Sequence, residues 1–593
     1  MQQIGKAYDG RLVRRLWTFV QPYRGVAWLT VFLSAIQQAL SLAQPYLLKI
    51  GVDRYVGPRD LAGLSRLALW FIGAIVGEFL AFYGQQYCTM VVAQRSLADL
   101  RGAVFERLQR FPMRFFDRNP VGKVVSRVTT DVDVLSEMFA AGAMTIALDA
   151  LKLVGVVGFM LWIDWRLALA SLVLLPLMTF AIDFFRRMAR RTYREIRERI
   201  ARINGYLQES ISGMAVIALS ARETRCYTEF EALNAAHRDA NQLSNKLEAA
   251  LFSIVDSVST VSVAAMLWES SRLRQGHALE IGTVLAFIQY INLFFIPIRD
   301  FSSKYAVMQS SMTAAERIFG LLDEEVEPEP VAPRRAPAPR GEIVFDHVWF
   351  AYRGEDWVLR DVSFRIAPGE RIAIVGATGS GKTTIIKLLE RLYDVQRGRV
   401  LVDGVDVREW EPRALRRRTA VVLQDVFLFN GSVADNLTLG RPDISRERLE
   451  AAARHVNADG FIRRLGGYDG EVRERGSNLS GGQRQLLAFA RALAHDPAIL
   501  ILDEATSSVD PETEWLVQDA LEKLLAGRTA VVIAHRLSTI EASDRIIVLH
   551  KGELRESGTH DELLARDGIY ARLYRLQYAG TEPPVRRAGA ARP

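Results

Sequence analysis

The sequence is poor in cysteine and carries little net charge for its length, and both shortages narrow what the protein can be. Its 593 residues include two cysteines, Cys88 and Cys226, so a disulfide framework is excluded and two free thiols are expected. The formal net charge is +7, and no basic face interleaved with aromatic residues is present, so nucleic acid is not expected as a partner. Residues 1–24 lack the short apolar core of a cleaved signal peptide.

Long apolar runs, in contrast, are abundant in the first half of the chain. Six of them approach the ~20 residues that a helix needs to cross a bilayer. They are Val26–Leu48, Leu67–Val92, Met138–Trp162, Leu167–Phe185, Leu247–Trp268 and Ile281–Ile298. Arginine-rich stretches precede the first span and follow the second and fourth, which places both termini on the cytoplasmic side. The sequence therefore predicts an all-α, six-span membrane domain.

The segments flanking these spans are also helical in pattern. Arg11–Val20 has apolar and basic residues at helical spacing, as in a helix lying in the membrane interface. Gln94–Ser136 and Arg186–Lys246 are too long for turns and continue the helical spacing into the cytosol. Each is broken once, near Phe111–Gly122 and near Glu209–Val216, by proline or glycine. Each break fits two interpretations equally well: the tip of a helical hairpin that docks onto another domain, or an ordinary loop.

Ionisable residues inside the spans are the only indication of what passes through the membrane. Asp149 and Lys152 lie three residues apart on one face of the third span, where they can neutralise each other. They either line a pathway or form a structural pair, and the sequence does not distinguish these roles. The other ionisable groups in or near spans are expected to be solvated or structural; they are Glu78, Asp183, Asp256 and Glu269.

The strongest motif is a glycine loop after the apolar run Arg371–Val375 and before a helix-like segment. Its pattern, G-x-x-x-x-G-K-[ST], lets backbone N–H groups converge on a polyphosphate at a helix N-terminus. Lys382 would reach the β- and γ-phosphates of ATP, and the Thr383 hydroxyl would bind Mg²⁺. The predicted nucleotide-binding residues of this loop are Gly376, Thr378, Gly379, Ser380, Gly381, Lys382, Thr383 and Thr384.

A second motif places two carboxylates at the end of the apolar strand Ala498–Leu502. Asp503 and Glu504 are adjacent, so on a strand they point in opposite directions and can take different tasks. Asp503 would hold Mg²⁺, and Glu504 would activate or orient the attacking water. Leu479–Gln483 precedes a helix-like run and offers a further anion site at a helix N-terminus.

From Glu342 onward, short β-rich runs alternate with helical patterns, which predicts a mainly parallel sheet flanked by helices. The runs after the glycine loop are Arg399–Asp403, Thr419–Leu423, Ala498–Leu502, Thr529–Ala534 and Arg545–Leu549.

Taken in order, six spans, the glycine loop, Leu479–Gln483, the strand ending in Asp503 and Glu504, and then His535 resemble the ATP-binding cassette (ABC) exporters of the half-transporter type. The residue patterns and the resemblance together predict an interfacial helix at 1–24, a six-helix transmembrane domain at 25–322 and a proline-rich linker at 323–341. They also predict an α/β nucleotide-binding cassette at 342–576, and the Pro-, Arg-, Gly- and Ala-rich composition after it predicts a disordered tail at 577–593. The two helix breaks become coupling helices that press on the cassettes.

The resemblance also assigns roles to matching residues. Two chains would pair head to tail, each ATP lying between one chain's glycine loop and Ser480, Gly482 and Gln483 of the other. Tyr352 would stack on adenine, and Gln424 would contact Mg²⁺ and sense the membrane domain. Asp510 would lie in the loop across the dimer, and His535 would contact the γ-phosphate as a catalytic residue with Glu504.

The function so implied is ATP-driven export of a hydrophobic or amphipathic drug or lipid across the inner membrane by alternating access. The expected partners are membrane lipids, the substrate and a second half-transporter, with a homodimer favoured because the catalytic motifs are intact and a heterodimer still open. Two alternatives remain: an ATP-gated channel or regulatory protein that uses the same cassette, and a soluble ATPase of DNA maintenance, which has no use for six spans.

Overall fold

The computed structural model describes residues 9–141, 143–274, 280–327, 337–503, 511–534 and 537–578. The chain divides into two compact units. The first comprises Met1–Arg110 and Asn119–Glu324, and the second comprises Phe111–Arg118 and Glu325–Pro593. The short segment Phe111–Arg118 therefore groups with the C-terminal unit, although the chain on both sides of it belongs to the N-terminal one.

Helices make up most of the described residues between 10 and 322. They are α1 (Gly10–Val20), α2 (Arg24–Ile50), α3 (Leu61–Leu108), α4 (Met113–Arg118), α5 (Val121–Val128), α6 (Thr130–Ala141), α7 (Ala143–Ile163), α8 (Trp165–Leu172), α9 (Leu175–Ser212), α10 (Met214–Leu219), α11 (Glu223–Arg274) and α12 (Ile281–Leu322). Within the described residues, six helical stretches are long and apolar enough to cross a membrane. Five of them contain the corresponding predicted span, and the remaining one, Thr145–Ile163, overlaps the predicted span Met138–Trp162 in part.

The membrane helices continue well beyond the apolar segments that predicted them. Helix α3 is 48 residues long and α11 is 52, roughly twice the length needed to cross the hydrocarbon core. Helix α1 confirms the predicted N-terminal helix; the Asp9 carboxylate accepts a hydrogen bond from the Arg11 amide and caps it.

Both predicted helix breaks are confirmed, and each contains one short helix. Helix α3 ends at Leu108, and the six residues of α4 follow before Pro120 starts α5. Helix α9 ends at Ser212, Gly213 follows as its C-cap, and α10 spans six residues before α11 begins. Proline lacks the backbone N–H that a helix interior needs, and glycine lacks the side chain that restricts the backbone. The helices therefore break at the segments in which the sequence has these residues.

The core of the membrane unit is built from large apolar side chains of α7, α8, α11 and α12. Phe287 and Tyr290 of α12 are fully buried there. The Tyr290 hydroxyl donates a hydrogen bond to the Leu42 carbonyl of α2 at 2.8 Å, so the phenol is satisfied without water. Helix α12 is thereby held against the other spans.

Strands alternate with helices in the C-terminal unit. They are β1 (Ile343–Ala351), β2 (Trp357–Ile366), β3 (Arg371–Val375), α13 (Lys382–Leu389), β4 (Arg397–Val402), β5 (Val405–Asp406), α14 (Pro412–Arg416), β6 (Thr419–Val422), β7 (Gly431–Ser432), α15 (Val433–Thr438), α16 (Arg446–His455), α17 (Asp459–Arg464), β8 (Glu471–Val472), α18 (Gly481–Ala494), β9 (Ile499–Asp503), α19 (Pro511–Leu525), β10 (Thr529–Ile533), α20 (Leu537–Glu541), β11 (Arg545–His550), β12 (Glu553–Gly558), α21 (His560–Ala565) and α22 (Ile569–Tyr578).

The main sheet has the order β12-β11-β3-β10-β9-β6, and every neighbouring pair except β12 with β11 is parallel. Both of its faces are buried. Ile372 and Ile374 of β3 pack in one apolar cluster, and Ala373 and Val375 pack in the other. This alternation explains the uninterrupted apolar runs in the sequence, since a parallel sheet covered on both faces has no polar side.

One predicted strand belongs elsewhere. The predicted run Arg399–Asp403, expected within the mainly parallel sheet, falls in β4 (Arg397–Val402), which pairs antiparallel with β1 and β5 in a separate sheet of order β2-β1-β4-β5. The stretch has one buried and one more exposed side, which is typical of an antiparallel strand. The other predicted strands lie in the parallel sheet, and the α/β class is confirmed.

Candidate functional site

The carboxyl ends of four neighbouring parallel strands gather the predicted nucleotide residues at one edge of the main sheet. In the order β3-β10-β9-β6, the strands end at Val375, Ile533, Asp503 and Val422. Ile533 is paired in register with both Ile374 and Asp503. The glycine loop follows β3 and Gln424 follows β6, so both start from the edge where Asp503 lies. This is the position at which open α/β sheets bind ligands.

The glycine loop between β3 and α13 adopts a backbone that side chains would disrupt. Gly376 has φ of +157°, and a Cβ there would lie 2.3 Å from the Leu549 carbonyl oxygen of β11. Gly381 has φ of +102°, in the left-handed region, and a Cβ there would lie 2.5 Å from a methyl carbon of Leu359. The loop therefore requires glycine at both positions, for contact as well as for conformation.

Lys382 is the first residue of α13, and its ammonium points back into the loop. The side chain is buried, and Nζ donates to the carbonyl oxygens of Gly376 at 2.7 Å and Ala377 at 3.2 Å. The positive charge therefore lies beside the helix N-terminus, where unpaired backbone N–H groups add to the attraction for an anion.

Ser380 supplies evidence that the loop is built for a polar ligand. Its side chain is 4% exposed, and its Oγ has no hydrogen-bond partner among the described residues. A buried hydroxyl without a partner is unfavourable unless a ligand or solvent satisfies it. A phosphate oxygen fits this position, since the ammonium of Lys382 and the hydroxyl of Ser380 are both donors.

The two threonines that follow Lys382 differ in exposure. Thr383 is exposed at the start of α13, as a ligand of Mg²⁺ needs to be. Thr384 is 5% exposed, and its Oγ1 lies 3.1 Å from the Tyr352 hydroxyl. The structure therefore brings Tyr352, which follows β1, next to the phosphate loop, although the two are far apart in sequence. Thr378 and Gly379 are exposed in the loop itself.

Two residues at the start of α18, Ser480 and Gln483, form hydrogen bonds with each other. The Ser480 Oγ accepts from the Gln483 amide at 3.3 Å, and the Gln483 side-chain oxygen accepts from the Ser480 amide at 3.0 Å. This capping box fixes the first turn of the helix, in which Gly482 is buried. In the described part of one chain, the polar side chains of this turn thus make no bond to the glycine loop.

Three predicted site residues lie outside the described residues. They are Glu504, Asp510 and His535. Glu504 directly follows Asp503, the last residue of β9, and His535 follows Ala534 just after β10. Gln424 is described, and it is exposed after β6.

The membrane unit contains a cluster of polar residues that the sequence revealed only in part. Asp149 of α7 forms an ion pair with Lys304 of α12, and not with Lys152, the partner that the sequence analysis considered. The Glu78 carboxylate of α3 accepts hydrogen bonds from Gln37 at 3.5 Å and from Gln44. Lys152 has no hydrogen bond or ion pair within the described residues, but Glu78, Asp149 and Lys304 are its charged neighbours.

Lys304 escaped the sequence analysis because the sixth predicted span ended at Ile298. Helix α12 continues to Leu322, and the lysine lies on that continuation. A lysine one or two turns beyond an apolar run normally suggests a solvated span end. The available signal was the helical spacing of apolar residues after Pro297.

Comparison with known proteins assigns the family. The family model described as ABC transporter transmembrane region matches residues 27–298, and the model described as ABC transporter matches residues 359–507. YknV of Bacillus subtilis, an uncharacterized ABC transporter ATP-binding protein, is 38% identical over 581 residues, which cover 97% of this chain and 96% of the relative.

The chain belongs to the ABC transporter family. An ATP-dependent lipid A-core flippase of Chromohalobacter salexigens is 37% identical over 577 residues, which cover 96% of this chain and 99% of the flippase. A solved bacterial Atm1-family ABC exporter with ATP bound matches with a TM-score of 0.75 and 28% identity, over 97% of this chain and all of that one.

These findings confirm several predictions for this ABC transporter. The exporter-type fold, ATP binding, ATP hydrolysis coupled to transport, and a multi-pass membrane protein with a cytoplasmic ATP-binding domain are all confirmed. The soluble-ATPase alternative is excluded by the membrane region. The individual site residues and the domain boundaries stay predictions.

Proposed function

We propose that this ABC transporter exports an amphipathic, lipid-like molecule across the inner membrane as a dimer of two half-transporters, driven by hydrolysis of MgATP. The observation that carries the proposal is the glycine loop, in which the Lys382 ammonium is buried and the Ser380 hydroxyl has no partner among the described residues. The described part of the same chain has six helices long and apolar enough to cross a membrane. An anion-binding loop on such a chain serves a membrane process powered by a nucleotide.

In the proposed site, oxygen ligands suited to Mg²⁺ come from Thr383, Gln424 and Asp503. Glu504 orients or activates the attacking water, and His535 contacts the γ-phosphate. Tyr352 stacks on adenine. Because phosphoryl transfer needs little covalent chemistry from the protein, positioning by these groups and charge neutralisation by Lys382 and the metal provide most of the rate enhancement.

A second chain completes the site. The capping box between Ser480 and Gln483 engages the Gln483 N–H within one chain. The N–H groups of Gly481 and Gly482, also in the first turn of α18, are the ones proposed to bind an anion from outside. We propose that these groups, together with Gly482 and Asp510 of the second chain, clasp the ATP held by the first. A homodimer suffices, since every motif of the site is present in this sequence; a heterodimer is the alternative.

The substrate class follows from the membrane unit. An amphiphile needs an apolar environment for its tails and polar partners for its headgroup. The spans supply apolar surface, and the cluster of Glu78, Asp149, Lys152 and Lys304 with Gln37 and Gln44 supplies both charges within it. A hydrophobic drug is the second candidate. The relative named as a lipid A-core flippase favours the lipid.

The experiment is transport in proteoliposomes. The purified protein, reconstituted with cassettes outward and loaded with a fluorescent phospholipid or a lipophilic dye, is given MgATP. We expect ATP-dependent movement that builds a concentration difference. Flux that only dissipates an existing gradient would identify a channel instead. Lys382→Ala is the inactive reference, and Lys523→Ala, a surface lysine paired with Asp519, is the matched control.

A further inference from the structure

Tyr352 belongs to an aromatic cluster with a lysine at its centre. Its ring meets the Tyr393 ring edge-on, with centroids 5.2 Å apart and planes at 90°. Phe350 contacts both rings, at 4.9 Å from Tyr352 and 5.6 Å from Tyr393. The Lys387 ammonium lies over both tyrosines, 5.3 Å from the Tyr352 centroid and 5.8 Å from that of Tyr393. These distances fit cation–π attraction, which fixes the relative position of the three groups.

Helix α13 connects this cluster to the phosphate loop. Its first residue is Lys382 and its last turn contains Lys387. The Tyr352 hydroxyl is bound to Thr384 of the same helix at 3.1 Å. Tyr393 follows the helix by four residues. One rigid helix of about 12 Å therefore has the phosphate loop at its N-terminal end and the aromatic cluster at its C-terminal end.

The cluster also holds α4. The Tyr393 hydroxyl donates a hydrogen bond to the Asp117 carboxylate, and the Lys387 ammonium lies 3.8 Å from that carboxylate. Burial and the neighbouring Asp117 raise the pKa of Tyr393, so the phenol stays protonated and donates. Within Phe111–Arg118, the Phe115 side chain is buried and packs against Phe111, with ring centroids 4.6 Å apart and planes at 54°.

The chain places Phe111–Arg118 between α3 and α5. Both of those helices belong to the membrane unit, whereas the segment itself groups with the cassette. The segment that contains Asp117 is therefore covalently joined at both ends to the membrane unit. Among the described residues, Tyr393 and Lys387 contact both Asp117 and the ring of Tyr352, and so join the proposed adenine position to this segment.

We propose that Tyr393 is a positioning residue that transmits occupancy of the adenine position at Tyr352 to Asp117 on α4. The inference rests on the nucleotide site of the proposed function. Because ATP and ADP both contain adenine, this link responds to the bound base and does not depend on the γ-phosphate. It would therefore hold α4 in the nucleotide-bound arrangement through hydrolysis, and release it only when ADP leaves.

Two ligands distinguish the effect of a bound base from the effect of bound phosphates. ADP occupies both the loop and the adenine position, and inorganic tripolyphosphate occupies the loop alone. The full-length protein in lipid nanodiscs is saturated with each in the presence of Mg²⁺, and amide hydrogen exchange is measured on the peptides that cover Phe111–Arg118. Binding of each ligand is measured separately, so that occupancy is known.

Tyr393→Phe is the test variant. It keeps the ring contacts with Tyr352 and Lys387 and removes only the hydroxyl that donates to Asp117. Tyr468→Phe is the matched control, since the Tyr468 hydroxyl also donates to a carboxylate, Asp459, at 3.2 Å in the same unit. Asp117→Asn tests the same bond from its acceptor side while retaining hydrogen-bonding capacity.

We expect ADP to slow exchange in Phe111–Arg118 by about fivefold in the unaltered protein and in Tyr468→Phe, and tripolyphosphate to have little effect. In Tyr393→Phe, most of this protection is lost while ADP affinity changes by less than about threefold, as for one hydrogen bond remote from the ligand. Equal protection by tripolyphosphate, or full ADP protection in Tyr393→Phe, would overturn the proposal. If the unaltered protein binds neither ligand, the proposed nucleotide site itself is wrong.

Discussion

Asp149 and Lys304 form an ion pair between α7 and α12, although they are 155 residues apart in sequence. Their side chains are 24% and 23% exposed, so the pair lies largely within the membrane unit. Removing one partner from such a pair leaves an uncompensated charge, which is costly in an apolar environment. Lys152, on the same helix as Asp149, has no such partner within the described residues.

Asp149→Asn should therefore lower the stability of the membrane unit by about 2 kcal/mol, somewhat below the cost for fully buried pairs. Lys304→Met should have a similar effect. The measurements are yield in the membrane and thermal unfolding of the purified protein.

The exchanged pair, Asp149→Lys with Lys304→Asp, should recover much of the loss, and Lys152→Met is the control from the same helix. If Lys152→Met destabilises the protein as much as Asp149→Asn does, the structural role of the 149–304 pair is not specific. Loss of transport without loss of stability in Lys152→Met would place Lys152 in the substrate pathway.

Lys382→Ala should weaken ATP binding at least about tenfold, because it removes a buried cation from the phosphate loop. The measurement is equilibrium binding of a fluorescent ATP analogue to the protein in nanodiscs. Lys523→Ala should bind as the unaltered protein does. Unchanged affinity in Lys382→Ala would remove the loop from the nucleotide site.

Glu504→Gln should retain ATP binding and lower the steady-state ATPase rate by roughly 10²- to 10⁴-fold, the range expected for a general base. The amide keeps the size of the side chain but cannot accept the proton of the attacking water. Binding and phosphate release are measured on the same preparation. The control is Glu522→Gln on the exposed face of α19. Near-normal hydrolysis would exclude Glu504 from the role.

Glu390 provides a pH-dependent prediction. The side chain follows α13, is 7% exposed, and burial raises its pKa from 4.5 to about 7. The unfolded chain releases this proton near pH 4.5 and the folded chain retains it to about pH 7, so this group lowers stability as pH rises between those values. The full effect, of order 3 kcal/mol, is reached above pH 7.

Glu390→Gln should abolish this dependence. The unfolding temperature of the variant relative to the unaltered protein should increase by several degrees between pH 5 and pH 8. Differential scanning calorimetry of the full chain at both values measures it, with the exposed Glu355→Gln as control. A constant difference across this range would show that Glu390 does not titrate there.

The sequence alone determined those features that depend on neighbouring residues. Apolar runs of sufficient length predicted the six spans, because the cost of placing polar groups in hydrocarbon is set residue by residue. The glycine loop was predictable because its residues are contiguous and each has a local geometric reason. The two helix breaks followed from proline and glycine in the same way.

Only the tertiary structure decided which distant residues meet. A pattern of apolar residues indicates that a face is buried but does not indicate which element covers it. The pattern of β4 is therefore compatible with either sheet, and in the structure β4 pairs with β1 in the antiparallel sheet. The same limit hid Lys304 as the partner of Asp149 and Tyr393 as the contact of Asp117. Such pairs are selected by the packing of whole elements, which brings together side chains that no local spacing relates.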